Sequence, residues 1–165
     1  MNLALLRNRE FLWHWLPPLF WCCVVMCLSG NLGSSEHTLN LLKWLLSWLP
    51  GLSSAQIGLL NFYFRKAVGH VGNYAFLYFL WFRAFQGQLA YRPGRACLWS
   101  LTLCLSLAFL DEGRQAMVPS RGSSLRDVVL DLGGAAAAGL LLGIFWTPRV
   151  KPLLGSAKTQ DTPRA

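Results

Sequence analysis

Residues 111–139, DEGRQAMVPSRGSSLRDVVLDLGGAAAAG, lie between stretches that are apolar enough for a membrane interior. Four of the seven acidic residues of the chain fall here, among three arginines: Asp111, Glu112, Arg114, Arg121, Arg126, Asp127 and Asp131. A charged side chain at the centre of a membrane helix costs about 2.5–3.5 kcal/mol, so such residues usually face protein, water or a ligand. The stretch therefore predicts two membrane helices joined by a polar turn, with a functional site beside the turn.

The composition is that of an integral membrane protein. Of the 165 residues, 54% are hydrophobic and 13% are charged, whereas soluble domains carry about 25% charged residues. The formal charge of +8 comes from cations that flank apolar stretches, where topology signals and anionic lipid account for them. No run of Lys and Arg interleaves with aromatic residues in a loop, so nucleic acid is not an expected partner.

The apolar pattern predicts an all-α, four-span transmembrane bundle in one domain, 1–146. The spans are expected at about 11–29, 68–85, 96–113 and 127–146. Residues 39–49 are too short to span and suit a helix in the membrane interface, with a re-entrant or packed loop helix as the alternative. The polar tail 147–165 is expected to be disordered.

Two Ser-x-x-polar patterns mark helix starts. Ser53-x-x-Gln56 and Ser124-x-x-Asp127 fit the capping box, in which two side chains satisfy free N–H groups reciprocally. They predict that one helix begins near Ala55 and that the fourth span begins at Asp127.

Lysine and arginine counts predict the orientation. With four spans, one side of the membrane carries nine of the 15 Lys and Arg residues and the other carries six. The positive-inside rule then places both termini in the cytoplasm. In that orientation the stretches 65–70 and 111–131 meet at the outer face.

Polar residues recur at helical spacing on three predicted helices, at one membrane depth. The set comprises Lys66, His70, Tyr74, Asp111, Glu112, Gln115, Arg121, Asp127 and Asp131. Residues four apart share a helix face, so the set predicts a polar, ligand-binding pocket at the outer interface. Arg121 is expected to pair with Asp127 or Glu112. A structural ion-pair network joining three helices is the alternative, and Asp127 could serve only as an N-cap.

Most enzyme templates fail, because the sequence has no G-x-S-x-G, HExxH, P-loop or Gly-rich dinucleotide turn. Metal binding would use His70 and the carboxylates as ligands, but their spacing is unspecific, so no metal and no cofactor is predicted.

The five cysteines lie in apolar runs and are expected to be small buried hydrophobes. Gly139 and Gly143 form a small helix face, which predicts packing within the monomer or, alternatively, the seam of a homo-oligomer.

Three blocks of sequence resemble the VanZ-like family. They are DE..Q..VPSR..S..D...D..GA...G from Asp111 to Gly139, RK...H...YAFL followed by FRA from Arg65 to Ala84, and WLPPLFW followed by LSG from Trp15 to Gly30, before a Ser/Thr-rich loop. The resemblance covers about 11–145 and implies a small bacterial membrane protein of several helices. It implies the same nine site residues, in a family whose namesake is linked to low-level teicoplanin resistance. Two positions depart from the family pattern: the Lys66–His70 interval is four rather than three, and Asp131 replaces an expected Asn.

The leading functional hypothesis is an accessory or binding role toward a cell-envelope lipid or lipid-linked precursor. Its anionic headgroup would contact Arg121, Lys66 and His70, with Asp111, Glu112 and Asp127 orienting those cations. One alternative is a membrane enzyme acting on a lipid-linked phosphate through a histidine and a carboxylate, although no catalytic residue is assigned. The other is a structural or assembly subunit.

Overall fold

The computed structural model describes residues 3–49, 51–88 and 93–145, and these residues form helices and turns without strands. The helices are α1 (Leu3–Leu28), α2 (Ser35–Leu45), α3 (Ser54–Phe64), α4 (Asn73–Gln88), α5 (Pro93–Ala116) and α6 (Leu125–Phe145). A short 3-10 turn, Asn31–Gly33, precedes α2, and a π-helix, Arg65–Gly72, joins α3 to α4. The predicted tail 147–165 lies outside the described residues.

Three of the helices are long and apolar enough to cross a membrane. These candidate spans are Arg9–Leu28 of α1, Pro93–Ala116 and Leu125–Ile144 of α6, and they correspond to the predicted first, third and fourth spans. The predicted second span, 68–85, is divided between the π-helix and α4. With 16 residues, α4 alone rises about 24 Å, which is less than the roughly 30 Å of hydrocarbon in a bilayer.

Helix α4 lies at the centre of the bundle, in contact with α1, α5 and α6. Its Leu77, Tyr78 and Ala84 are almost fully buried, whereas α1 and α6 expose large apolar side chains such as Trp13 and Leu140. Exposed apolar faces on the outer helices and a buried central helix are the pattern expected of a bundle that is solvated by lipid.

Glycines in α6 permit close helix approach. A Cβ atom added to Gly134 would lie 2.2 Å from the backbone oxygen of Val71 in the π-helix. One added to Gly139 would lie 2.9 Å from the Tyr78 hydroxyl, so this glycine packs within the chain, while a Cβ at Gly143 would meet open space. These contacts join α6 to the π-helix and to α4.

The starts of two helices are set by serine caps. The capping box at Ser53 and Gln56 is confirmed, with the Gln56 N–H 3.2 Å from Ser53 Oγ and the Ser53 N–H 2.8 Å from Gln56 Oε1. Helix α2 begins four residues earlier than predicted because the Ser34 hydroxyl accepts the His37 N–H at 3.3 Å.

Candidate functional site

Polar side chains of the π-helix, α5 and α6 meet at one end of the bundle. All nine residues predicted for the pocket gather there: His70, Tyr74, Asp111, Glu112, Gln115, Asp127 and Asp131 are buried, and Lys66 and Arg121 are partly buried. They come from the π-helix, from the start of α4, from α5 and α6, and from the turn that joins α5 to α6.

A chain of charged groups connects the π-helix to the first turns of α6. The Lys66 ammonium donates to Asp127 Oδ1. The His70 imidazole lies between two carboxylates, with Nδ1 3.0 Å from Asp131 Oδ1 and Nε2 3.7 Å from Asp127 Oδ2. Because Asp127 and Asp131 are one helical turn apart, a single imidazole reaches both.

The π-helix gives this part of the chain its unusual geometry. The Asn73 N–H reaches the carbonyl oxygens of both Val68 and His70 at its end, and the Asn73 side chain donates to Gly69 O at 2.8 Å. A π-turn holds more residues than an α-turn and is frequent at functional sites. The spacing of Lys66, His70 and Tyr74 reads as an α-helical stripe, so the sequence contains no evident signal for this turn.

Ser124 caps the start of α6 as predicted, but the reciprocal bond expected from Asp127 is wrong. The Ser124 N–H donates to Glu112 Oε2 at 2.7 Å, and the Ser124 hydroxyl accepts from the Arg126 N–H at 3.2 Å. Glu112 thus supplies the carboxylate expected from Asp127. Asp127 is not only an N-cap, because its side chain is engaged by Lys66.

Arg121 does not form the ion pair that the sequence predicted. Among the described residues, no ion pair within 4.0 Å involves Arg121, because Lys66 engages Asp127 and the Ser124 amide engages Glu112. The half-buried guanidinium instead lies over Gly33, where an added Cβ would be 2.8 Å from Nη1. Its buried Nε has no hydrogen-bond partner.

Arg65 is a site residue that sequence reasoning missed. It was counted only among the cations that set topology, although it opens the RK...H block. Its half-buried guanidinium donates to Gly33 O at 3.3 Å. The Arg65 guanidinium lies near the Arg121 charge, which repels it, and near the Asp127 carboxylate, which attracts it. Burial lowers the pKa of Arg121, against the opposing charges of nearby carboxylates, Asp111 foremost.

Two adjoining cavities open on this cluster. The first has a volume of about 280 Å³ and combines Arg65, Arg121, His70, Asp111 and Gln115 with the apolar residues Val25, Leu28, Phe64 and Val68. The second, of about 220 Å³, contains Lys66, Asp127 and Asn61. His70, Gln115 and Arg65 line both. His70 therefore lies beside the Asp111–Gln115 face of α5.

The site thus combines two kinds of chemistry. The arginine side of the first cavity can bind an anion, and the buried histidine and carboxylates can bind a proton or a cation.

Comparison of the chain with protein-family models, with curated proteins and with solved structures gives no match.

Proposed function

We propose that the chain is a VanZ-like, four-span protein of a bacterial inner membrane, whose outward-facing cavity binds the anionic headgroup of an envelope lipid or lipid-linked precursor. The observation that carries this proposal is the arginine pair. Arg65 and Arg121 lie half-buried in one cavity, and within the described part of the chain neither has a carboxylate oxygen within 4.0 Å.

The electrostatics of the pair favour an anion. Burial disfavours each guanidinium charge, and the two charges repel each other. A phosphate or carboxylate between them would relieve both effects, since guanidinium groups bind these anions through two parallel hydrogen bonds. Lys66 and His70, expected from the sequence to contact the anion, are engaged by Asp127 and Asp131, so Arg65 replaces them in the proposal.

The other walls of the cavity suit a lipid. Val25, Leu28, Phe64 and Val68 line the same space as the arginines. A headgroup could therefore bind the guanidinium groups while the adjoining apolar part of the molecule contacts the helices.

The position of α4 supports a fourth span. The π-helix and α4 run together from Arg65 to Gln88, about the length that a bilayer requires. The three candidate spans surround α4 and bury its polar Tyr78 and Tyr74 hydroxyls away from the outer surface. A π-turn contains one residue more than an α-turn. The Lys66–His70 interval, which is one residue longer than in the family pattern, lies within this turn.

Lipid binding tests the proposal directly. Detergent-solubilised protein would be incubated with phosphatidylglycerol, a polyprenyl phosphate or phosphatidylcholine, and bound lipid measured by native mass spectrometry. We expect retention of an anionic lipid, with at least about tenfold weaker binding in Arg65→Gln and Arg121→Gln, since a hydrogen bond to a charged group contributes about 1.5–3 kcal/mol. Whether polyprenyl phosphate or phosphatidylglycerol binds more tightly identifies the source of the headgroup.

Arg126→Gln is the matched control, because Arg126 lies in the same region but is exposed. Equal lipid binding by the wild type and both cavity variants would contradict the proposal. A purely structural role predicts that the cavity variants lose thermal stability while their lipid binding stays unchanged.

Reporter fusions test the number of spans and their orientation. We expect fusions after residue 90 and at the C-terminus to report a cytoplasmic location, and a fusion at Gly122 to report a periplasmic one. If only the three candidate spans cross the membrane, the two termini lie on opposite sides. A periplasmic signal after residue 90 or at the C-terminus would overturn the four-span, N-in topology and move the cavity to another face.

A further inference from the structure

We propose that His70, Glu112 and Asp131 form a binding site for a divalent transition-metal ion, with Zn²⁺ as the best fit. Each residue offers a ligand atom, and these three atoms lie within 4.8 Å of one another. The residues come from the π-helix, α5 and α6, so the site would join three elements of the bundle. This inference goes beyond headgroup binding and does not depend on it.

The two carboxylates have unused acceptor capacity. Asp131 is fully buried and Glu112 is 4% exposed. One oxygen of each is engaged, by His70 and by the Ser124 amide respectively, whereas Asp131 Oδ2 and Glu112 Oε1 are buried without a hydrogen-bond partner. Buried carboxylate oxygens are destabilising unless hydrogen bonds or a cation satisfy them, so these side chains indicate a cation ligand.

The imidazole is oriented as a metal ligand requires. His70 Nδ1 faces Asp131, and Nε2 faces Asp127 Oδ2 at 3.7 Å. Histidine ligands commonly direct their second ring nitrogen toward a carboxylate, which fixes the tautomer and the ring orientation. Asp127 would have this positioning role, and Lys66 balances its charge.

The mixed ligand set identifies the class of ion. Ca²⁺ and Mg²⁺ prefer sites made of oxygen alone, whereas Zn²⁺ accepts both imidazole nitrogen and carboxylate oxygen. Ligands of a tetrahedral Zn²⁺ lie about 3.3–3.6 Å apart given bonds of about 2.0–2.2 Å, so small side-chain rotations would close the site. Because His70 lines both cavities, a fourth position could face water or a ligand.

Metal content tests the proposal without an activity assay. Full-length protein would be purified in detergent through a tag without histidine, stripped with a chelator and titrated with Zn²⁺, with bound metal measured by mass spectrometry. We expect one Zn²⁺ per chain and a higher unfolding temperature, without a comparable effect of Mg²⁺ or Ca²⁺. Failure of the wild type to retain one equivalent after gel filtration would overturn the proposal.

Variants then locate the ion. We expect Glu112→Gln and Asp131→Asn to weaken Zn²⁺ binding by at least about 100-fold and Asp127→Asn by about 10–100-fold. Glu36→Gln, at an exposed carboxylate on α2, is the control. Unchanged binding in both ligand variants would place the ion elsewhere and contradict the assignment.

A second measurement covers ligand variants that do not fold. The chain has three histidines, so His14→Gln combined with His37→Gln leaves only His70. Cu²⁺ bound to this protein should show magnetic coupling to a histidine nitrogen in pulsed electron paramagnetic resonance. Loss of that coupling, while the wild type retains it, would show that His70 is not the ligand.

Discussion

Replacing Gly134 with alanine should destabilise the protein by about 3 kcal/mol, at the upper end of the effects seen when a packed interior is overfilled. The added Cβ would lie 2.2 Å from the oxygen and 2.8 Å from the Cα of Val71. Both are backbone atoms, so no side-chain rotation relieves the clash, and α6 must move away from the π-helix. Thermal unfolding in detergent, followed by tryptophan fluorescence, measures the loss.

The neighbouring glycine is the matched control. A Cβ at Gly133 would meet nothing within 4 Å, so Gly133→Ala should be neutral or stabilise the helix by up to about 1 kcal/mol. Since Val71 follows His70 directly, moving α6 should also separate His70 from Asp131 and weaken the proposed metal site. Equal unfolding temperatures for the two variants would show that α6 and the π-helix are not in such close contact.

The elements that could be predicted from the sequence are those with strong local signals. Long apolar runs indicated α1, α5 and α6, and the Ser53 box gave the start of α3, because both signals depend on neighbouring residues alone. The π-helix was not predictable in this way. Polar residues spaced by four fit an α-helix equally well, and the π-helix is distinguished by bonds such as that from the Asn73 N–H to the Val68 carbonyl five residues earlier.

In the candidate site, too, the sequence predicts the residues but not the contacts between them. Its members were identified from polarity and membrane depth, yet their partners were not. Asp127 and Glu112 are the expected partners of Arg121 because they lie at the same predicted interface, whereas Lys66 from another helix engages Asp127. Arg65 was overlooked because a cation beside an apolar segment reads as a topology signal. Partner choice depends on three-dimensional distances and on competition between donors, which spacing does not record.

Arg121 has no carboxylate partner among the described residues because Lys66 and the Ser124 amide engage Asp127 and Glu112. Lysine substitution then tests how its guanidinium would bind a headgroup. A guanidinium presents two parallel donors to a phosphate or carboxylate, whereas an ammonium is a point charge. If each arginine donates two parallel hydrogen bonds to a headgroup, Arg121→Lys should impair function nearly as much as Arg121→Ala. Arg65→Lys should have the same effect, because Arg65 lines the same cavity.

Susceptibility to envelope-active antibiotics, including teicoplanin, provides the functional readout in a host that expresses equal amounts of each variant. Arg126→Lys should behave as the wild type, because Arg126 is exposed. Direct lipid binding by the same variants separates a headgroup defect from an indirect effect on the envelope. If Arg121→Lys retains wild-type function while Arg121→Ala loses it, the cavity needs only positive charge, and two-point recognition by the arginine pair is wrong.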